Sequence, residues 1–234
     1  MGPSLPRPGR PAERHFAIRG CDWERSHASV AIMPKIRPYR SSDRDAVYEI
    51  CILTAHNGGD ARPHYADPGI LPEIFAGPYV HLDPQFAFVL ADEQDRAVGY
   101  IIATGDTKRF TERFRDEWLP LVADRYPPLD GEPATPDEVM RWLLHWPERM
   151  VVDALAGYPA HLHIDLLPEY QRQGWGRRFV DTLAGALAAA GVPAVHLGMV
   201  TENTAARAFY DRIGLHVIDV PDAGVLTYLG LKLS

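Results

Sequence analysis

The chain has 234 residues, of which 46% are hydrophobic, and its formal net charge is −7. This is enough for one domain with a substantial core, and no apolar run reaches the roughly 18 residues that a membrane-spanning helix needs. The negative charge argues against nucleic acid as the main partner and suits an amine-bearing substrate. Cys21 and Cys51 lack metal-ligand spacing and favour a reducing compartment, so we expect a soluble, cytoplasmic protein without a membrane partner.

Residues 1–33 differ in composition from the rest of the chain. They are rich in Pro, Arg and Gly, show no sustained periodicity and lack the apolar centre of a secretory signal peptide. We therefore expect a disordered N-terminal tail, followed by one folded domain over residues 34–234.

The first helix is predicted to follow Ser42, whose hydroxyl can cap it. Val47, Ile50 and Leu53 recur at helical spacing and place apolar side chains on one face. Residues 57–69 are rich in Gly, Asp and Pro, which is typical of a loop, and a short helix is expected after Pro72.

Two strands joined by a short turn come next. Residues 86–91 and 97–104 are dominated by apolar and β-branched side chains, and residues 92–96 between them are polar. This pattern predicts a β-hairpin.

A long insertion, residues 105–159, separates this hairpin from the next strand. Two helices are predicted in it, one over about residues 111–126 and one after Thr135, where Pro136 and Glu138 complete a capping box. Their apolar side chains either pack the insertion onto the core or roof an acceptor-binding cleft. These side chains are Trp118, Leu119, Leu121, Val122, Met140, Trp142, Leu143, Leu144 and Trp146.

A strand, a turn, a helix and a second strand follow the insertion. Residues 161–166 alternate with the period of a strand, and Leu162, Ile164 and Leu166 share one face. Apolar residues then recur at helical spacing until Gly191, and residues 194–200 form the second strand. Such a βαβ unit has parallel neighbouring strands, and ligands bind where neighbouring strands of an open sheet part.

The turn of this unit contains Gly174 and Gly176 at the start of the helix. Free backbone N–H groups in such a turn can point at phosphate oxygens, and the helix dipole adds attraction. Arg177 and Arg178 add positive charge at the rim. Taken alone, the two glycines are also what an ordinary turn before a helix requires, and the remaining residues of a Rossmann fingerprint or a P-loop are absent from the sequence.

The pattern Gln171-x-x-Gly174-x-Gly176 resembles the acyl-CoA motif of the GNAT family of N-acetyltransferases. A second segment matches the same family in its asparagine, alanine, aromatic pair and glycine: Asn203, Ala206, Phe209, Tyr210 and Gly214. Two motifs in the right order are more specific than either alone. The resemblance implies an α/β (α+β) fold, with a central mixed, twisted sheet flanked by helices and a helical insertion before the cofactor-binding strand.

The resemblance also implies acetyl-CoA as co-substrate and an amine as acceptor. Assembly as a homodimer stays open. The strand before the turn would bind the pantetheine arm through its backbone, the turn would bind the diphosphate, and Asn203 would contact the same arm or fix the following helix. The expected cofactor-binding residues are Ile164, Asp165, Leu166, Gln171, Arg172, Gln173, Gly174, Trp175, Gly176, Arg177 and Asn203.

Acetyl transfer from a thioester to an amine needs an acid near the sulfur and a base near the amine. Tyr210 matches the position that GNAT enzymes often use for the acid, although a buried tyrosine in a helix also simply packs. Asp165 and His163 share a strand face and either can accept a proton. Asp165 is predicted to be catalytic with Tyr210, and His163 to bind substrate. Asp60 and Asp106 are candidates for binding a cationic amine, or they cap turns.

His161, His163 and Asp165 also suggest a zinc site, because alternate residues of a strand point the same way. The sequence offers no fourth ligand or supporting motif, and the resemblance implies chemistry without a metal. No metal is therefore predicted.

Further segments resemble the acetyltransferase-like domain at the C-terminus of eukaryotic O-GlcNAcase and its stand-alone bacterial relatives. The resemblance covers residues 34–234 and includes Asp60, a turn at residues 77–80, residues 99–100, residues 106–110 and residues 118–120. Two functions compete. One is an N-acetyltransferase acting on a small amine or a protein amino group, which the intact turn and Tyr210 favour. The other is a catalytically silent acyl-CoA-binding or protein-interaction module.

Overall fold

The computed structural model describes residues 1–2 and 33–233. The chain divides into residues 1–31 and residues 32–234, and every element below belongs to the second part. The tail predicted over residues 1–33 therefore lies outside the described residues, apart from its two ends. Among the described helices, none combines the length and the apolar character that crossing a membrane requires.

One mixed sheet organises the described part of the chain. Its strands are β1 (Lys35–Pro38), β2 (Ala87–Ala91), β3 (Ala97–Thr104), β4 (Ala160–Leu166), β5 (Ala194–Val200), β6 (His216–Ile218) and β7 (Leu226–Lys232). They lie in the order β1-β2-β3-β4-β5-β7-β6. Only β4 and β5 are parallel neighbours, and the other neighbouring pairs are antiparallel. The predicted hairpin and βαβ unit are confirmed.

Helices flank this sheet on both sides. They are α1 (Arg44–Thr54), α2 (Ile70–Phe75), α3 (Gly77–Leu82), α4 (Thr107–Arg113), α5 (Leu119–Val122), α6 (Pro136–Leu144), α7 (Trp175–Ala189) and α8 (Thr204–Arg212). A π-helical turn, Phe114–Trp118, joins α4 to α5. The helix α7 connects β4 to β5, as the sequence pattern predicts.

Each face of the sheet has its own core. On one face, which we call the α1 face, helices α1 to α6 pack around β3 residues such as Tyr100 and Ile102. On the other, the α7 face, α7 and α8 pack around Ile101 and Leu162. Neighbouring residues of a strand point to opposite faces, and every residue of β3 is buried because both faces are covered. The same alternation decides where each polar residue of β4 points.

Three helix starts differ from the prediction. Ser42 makes no capping hydrogen bond to α1. Instead, Asp43 precedes the helix, and its carboxylate accepts from the backbone of Arg40 and from the Arg37 guanidinium at 2.8 and 2.7 Å. The short helix α2 begins at Ile70, before Pro72. Residues 77–80, expected as a turn, form the first turn of α3.

The insertion contains the two predicted helical regions, but the first starts earlier. Asp106 accepts a hydrogen bond from the backbone of Arg109 at 3.1 Å and begins α4 at Thr107. This region is interrupted by the π-helical turn close to Pro120, which has no N–H for a helical bond. The capping box at Thr135 is confirmed. Trp118, Val122 and Leu144 pack in the core of the α1 face, whereas Trp142 and Trp146 are 40% and 43% exposed.

Candidate functional site

The strands β4 and β5 part soon after they begin. β4 pairs with β3 over six residue pairs, from Thr104↔His161 to Gly99↔Leu166. It pairs with β5 only at Ala160↔Val195 and His161↔His196. Beyond these pairs the strands diverge, so residues 162–166 of β4 and 197–200 of β5 border a strand gap. Ligands of open α/β sheets bind at such a divergence, where backbone groups of the strand edge are free.

The turn after β4 is held by the side chains of two predicted cofactor-binding residues. Gln171 donates to the carbonyl of Leu166 at 2.8 Å, and Gln173 donates to the carbonyl of Glu169 at 2.6 Å. Gly174 has a φ of +85°, a conformation that is strained for a residue with a Cβ. A Cβ there would meet no atom within 4 Å, so the backbone angle and not space requires glycine.

This turn leaves a cluster of free backbone donors at the start of α7. Within the described part of the chain, the N–H groups of residues 172–177 donate to no other residue. The first bond of the helix runs from the N–H of Arg178 to the carbonyl of Gly174 at 3.3 Å. Free N–H groups and the positive end of the helix dipole together fit a phosphate or diphosphate. The helix N-terminus lies directly beyond the end of β4, next to the strand gap.

The two sequence motifs meet in space at Gly176. A Cβ at this position would lie 2.8 Å from the ring of Phe209 on α8, so α8 approaches α7 this closely only because residue 176 is glycine. Trp175 is 9% exposed and anchors the same end of α7 in the core. Arg177 points outward, where it lies 3.8 Å from Asp181.

Asn203 sits at the start of α8 and fixes this helix. Its side-chain oxygen accepts a hydrogen bond from the backbone of Ala206 at 3.1 Å. This is one of the two roles that the sequence left open for Asn203. The cap sets the course of α8, and with it the position of Tyr210 two turns later.

Tyr210 has the properties of a proton donor that is not yet engaged. Its side chain is 8% exposed within the core of the α7 face. Its hydroxyl has no hydrogen-bond partner among the described residues. Burial, and secondly the negative charge of Asp165, raise the pKa of Tyr210 well above its usual value, so the phenol keeps its proton at neutral pH.

The polar residues of β4 lie on the α1 face, which periodicity alone did not decide. Tyr100 donates to Asp165 at 2.6 Å, and burial raises the pKa of Asp165 to about 6. Burial, and secondly the positive charge of Arg149, lower the pKa of His163 to about 4. Ile164 and Leu166 belong instead to the core of the α7 face. At neutral pH the strand therefore presents a neutral imidazole and a carboxylate on one face.

Sequence reasoning missed two residues that contact these histidines. The Tyr79 hydroxyl lies 2.7 Å from Nε2 of His161 and 3.1 Å from Nε2 of His163. The Thr107 hydroxyl lies 2.7 Å from Nδ1 of His161. No spacing signal connects Tyr79 or Thr107 with β4, because α3 and α4 reach it only through the tertiary fold. Among the described residues, no group of three or more His, Cys, Asp or Glu is arranged to hold a metal ion.

The two aspartates predicted to bind the amine lie in different surroundings. Asp60 is in the loop after α1 and forms an ion pair with Arg62 at 2.6 Å. Asp106 caps α4 and borders a cavity of about 400 Å³ that is also lined by Thr107, Tyr158 and His196. Both carboxylates thus have the local capping or pairing role that the sequence allowed. A role in amine binding stays a prediction.

Comparison with known proteins shows the family to which the chain is similar. The model of the acetyltransferase (GNAT) family matches residues 60–215. O-GlcNAcase from Rattus norvegicus and from Mus musculus is 24% identical over 181 residues, which is 76% of this chain but only 20% of each relative. The chain thus spans about a fifth of these curated relatives.

Solved structures show the same fold. The crystal structure of SsHAT is 56% identical, with a TM-score of 0.84, and the match covers 86% of this chain and 99% of that one. A GNAT superfamily phosphinothricin acetyltransferase from Sinorhizobium meliloti, solved in complex with acetyl-CoA, is 15% identical with a TM-score of 0.52, covering 86% and 89% of the two chains. The second likeness concerns the fold alone.

Proposed function

Since the chain belongs to the acetyltransferase (GNAT) family, we propose that it is an acetyl-CoA-dependent N-acetyltransferase that acts on a primary amine of a small molecule or a protein. One observation carries this proposal. The strand gap between β4 and β5 opens beside a helix N-terminus whose backbone N–H groups from residues 172 to 177 are free. An extended ligand with a diphosphate at one end fits both features at once.

Different residues of the chain bind different parts of acetyl-CoA. The free N–H groups of residues 172–177 bind the diphosphate, and Gly174 provides the backbone angle that aims them. Backbone groups on the open edge of β4, from Ile164 to Leu166, bind the pantetheine arm. Gln171 and Gln173 hold the turn in shape through their bonds to backbone carbonyls. The co-substrate supplies an activated acetyl group, and the protein supplies position and proton transfer.

Tyr210 acts as the general acid in this proposal. A thiolate leaving group is stabilised when a nearby donor gives it a proton. The Tyr210 hydroxyl is protonated at neutral pH and has no other partner within the described part of the chain. Asp165 contributes to catalysis by keeping that phenol protonated, because its negative charge opposes ionisation of Tyr210.

The acceptor amine binds on the α1 face of the strand gap. His163 presents a neutral imidazole there, and Asp165 presents a carboxylate. These groups favour binding of the acceptor as an ammonium ion. They then accept a proton from it before the neutral amine attacks the acetyl group. Asp106, at the border of the neighbouring cavity, is retained as a candidate for binding the acceptor, and Asp60 requires release from Arg62 first. A cytoplasmic location and a homodimer stay predictions.

Titration calorimetry with acetyl-CoA, followed by a free-thiol release assay over a panel of amines, tests the proposal. We expect heat of binding and thiol release with at least one amine. We expect Gly174→Asp to weaken binding by at least about tenfold, because a side chain at a φ of +85° distorts the turn and a carboxylate repels the diphosphate.

The chain offers a matched control at the other end of the same helix. Gly191 has a φ of +77° and equally open space, so Gly191→Ala introduces backbone strain without touching the turn. Acetyl-CoA affinity should be retained in that variant. Full affinity in Gly174→Asp, or no binding by the wild-type protein, would refute the acyl-CoA site. Binding without thiol release from any amine would favour the silent module instead.

A further inference from the structure

Four side chains form one hydrogen-bonded row that links the strand gap with the cavity bordered by Asp106. The row runs from His163 through Tyr79 and His161 to Thr107, with consecutive distances of 3.1, 2.7 and 2.7 Å. It comes from three separate elements, β4, α3 and α4. Tyr79, His161 and Thr107 are 2%, 7% and 7% exposed, so water does not compete for these bonds along the row.

Only one arrangement of hydrogens satisfies every contact in this row. Thr107 lies 2.8 Å from the carbonyl of Pro159, which can only accept, so the Thr107 hydroxyl donates there. His161 must then donate to Thr107 from Nδ1, and its Nε2 accepts from Tyr79. The Tyr79 oxygen in turn accepts from Nε2 of His163. All hydrogen bonds between these four residues therefore point in the same direction, from His163 towards Thr107.

The two ends of the row have different surroundings. Nδ1 of His163 carries no hydrogen in this arrangement and has no partner among the described residues, and His163 is half-buried. It lies two residues from Asp165 along the bordering strand of the gap. Thr107 lines the cavity of about 400 Å³, together with His196 and Tyr158. A cavity of this size, with polar groups such as Asp106, Thr107 and His196 among mostly apolar walls, can hold several waters.

The charged and titratable groups around the row keep it neutral. Burial lowers the pKa of His161 well below its usual value, and a proton added there would also lie close to His196, His163 and the positive charge of Arg149. Asp165 lies on the same face of β4 and bonds to Tyr100. Burial also raises the pKa of Tyr79 well above its usual value. At neutral pH the members of this row are therefore uncharged, as the arrangement of hydrogens requires.

We propose that His163 is the general base of this enzyme and that Tyr79, His161 and Thr107 relay the proton it accepts to water in the cavity bordered by Asp106. This inference rests on the proposed transferase function. Transfer of an acetyl group from a thioester to an ammonium yields an amide, a thiol and one proton in excess. While both substrates fill the strand gap, direct escape of that proton to solvent is obstructed. The row provides a second exit.

The relay conserves atoms and charge at each step. A proton from the acceptor ammonium adds to Nδ1 of His163, and the hydrogen on Nε2 of His163 moves to the Tyr79 oxygen. The Tyr79 hydrogen moves to Nε2 of His161, and the hydrogen on Nδ1 of His161 moves to the Thr107 oxygen. The Thr107 hydroxyl turns from the Pro159 carbonyl, which keeps its bond from the Thr107 N–H at 2.7 Å, and gives its hydrogen to water in the cavity. Each residue gains one proton and loses one, and side-chain rotation then restores the starting arrangement.

Nuclear magnetic resonance of the full chain, with ¹⁵N in the imidazole rings, tests the order of the row without reference to activity. In the wild-type protein at neutral pH we expect the hydrogen on Nδ1 in His161 and on Nε2 in His163. Tyr79→Phe should change the ring signals of both. Tyr158→Phe is the matched control, because among the described residues the Tyr158 hydroxyl bonds only to the exposed His216, at 2.6 Å. The opposite tautomer of either core histidine in the wild type would overturn the proposal.

Kinetics then tests whether the row carries the proton. We expect Tyr79→Phe and Thr107→Val to lower kcat by about tenfold or more, to steepen its pH dependence and to leave KM for acetyl-CoA unchanged. Thr107→Ser, which restores the hydroxyl, should recover the wild-type pH profile. A merely structural role would not be rescued in this selective way.

The outcomes separate the relay from the proposed function. Wild-type protein that binds acetyl-CoA but acetylates no amine defeats both proposals. Turnover in the wild type together with an unchanged kcat and pH profile in folded Tyr79→Phe and Thr107→Val defeats the relay alone. Circular dichroism establishes that each variant is folded.

Discussion

At the scale of single residues, the proposed chemistry depends on the Tyr210 hydroxyl. Its position results from two contacts outside the tyrosine itself. Asn203 caps the helix that carries it, and Gly176 lets Phe209, its neighbour, approach α7. Its protonation results from burial and from the charge of Asp165. The sequence motif supplies the tyrosine, while the fold supplies its free hydroxyl and its high pKa.

Tyr210→Phe removes this hydroxyl and keeps the ring. We expect kcat for thiol release to fall by about a hundredfold, because general acid catalysis contributes on that order, and the Kd for acetyl-CoA to stay within about twofold. A thiol-release assay measures kcat, and titration calorimetry measures the Kd. Tyr39→Phe, on a partly buried tyrosine beside the β1 edge of the sheet, is the control and should behave like the wild type. Equal kcat in Tyr210→Phe and wild type would remove Tyr210 from the mechanism.

At the scale of elements, hydrogen bonds at the start of α6 fix the position of the insertion. Thr135 accepts from the backbone of Glu138 at 3.2 Å, and Glu138 accepts from the backbone of Thr135 at 3.0 Å. Asp137 in the same turn accepts from the backbones of Ala66 and Asp67 at 3.0 and 2.8 Å, so α6 also holds the loop before α2. The insertion is therefore tied to the helices that cover the α1 face of the site.

Thr135→Ala should lower the free energy of unfolding by about 1 kcal/mol, because the first turn of α6 loses its side-chain cap. Urea denaturation followed by fluorescence measures this change. Thr182→Ala is a matched control in the middle of α7, where the threonine hydroxyl bonds only to the carbonyl of Arg178 and alanine favours the helix. A cost for Thr182→Ala equal to that for Thr135→Ala would argue against capping as the cause.

At the scale of the whole molecule, burial of ionisable groups couples stability to pH. The pKa of His163 is about 4 in the folded protein, below the unfolded value near 6.5, so the unfolded state binds more protons between these values. Stability therefore falls as pH falls through this window. Asp165 acts in the opposite direction, because burial raises its pKa to about 6 and the folded state binds more protons than the unfolded state below that pH.

We expect the histidines to dominate, since burial lowers the pKa of His161 and His196 as well. Between pH 7 and pH 5, the lowered pKa of His163 alone should decrease the free energy of unfolding by roughly 2 kcal/mol. The raised pKa of Asp165 should increase it by roughly 1 kcal/mol. Urea midpoints across this range measure the net loss. His163→Gln should reduce the loss, while His216→Gln, at an exposed position, should leave it as in the wild type. Stability that rises from pH 7 to pH 5 would contradict this account.

The sequence alone determined the elements whose signals are local. The alternation of residues 161–166, the helical spacing before Gly191 and the capping box at Thr135 each depend on neighbours within a few positions, and each is confirmed. The glycines of the turn were found in the same way. The resemblance to the GNAT family then predicted the mixed sheet, because the two motifs lie in the same order and at the same spacing as in that family.

Only the tertiary structure decided which groups meet. The face of β4 that carries His163 and Asp165 depends on which helices cover it, and periodicity is the same for either face. Tyr79 and Thr107 are 82 and 54 residues from His161 along the chain, yet both contact its ring. Contacts across such distances result from packing of whole elements. Local patterns therefore predict the elements and the proposed cofactor turn, whereas the proposed proton path depends on contacts that only the folded chain makes.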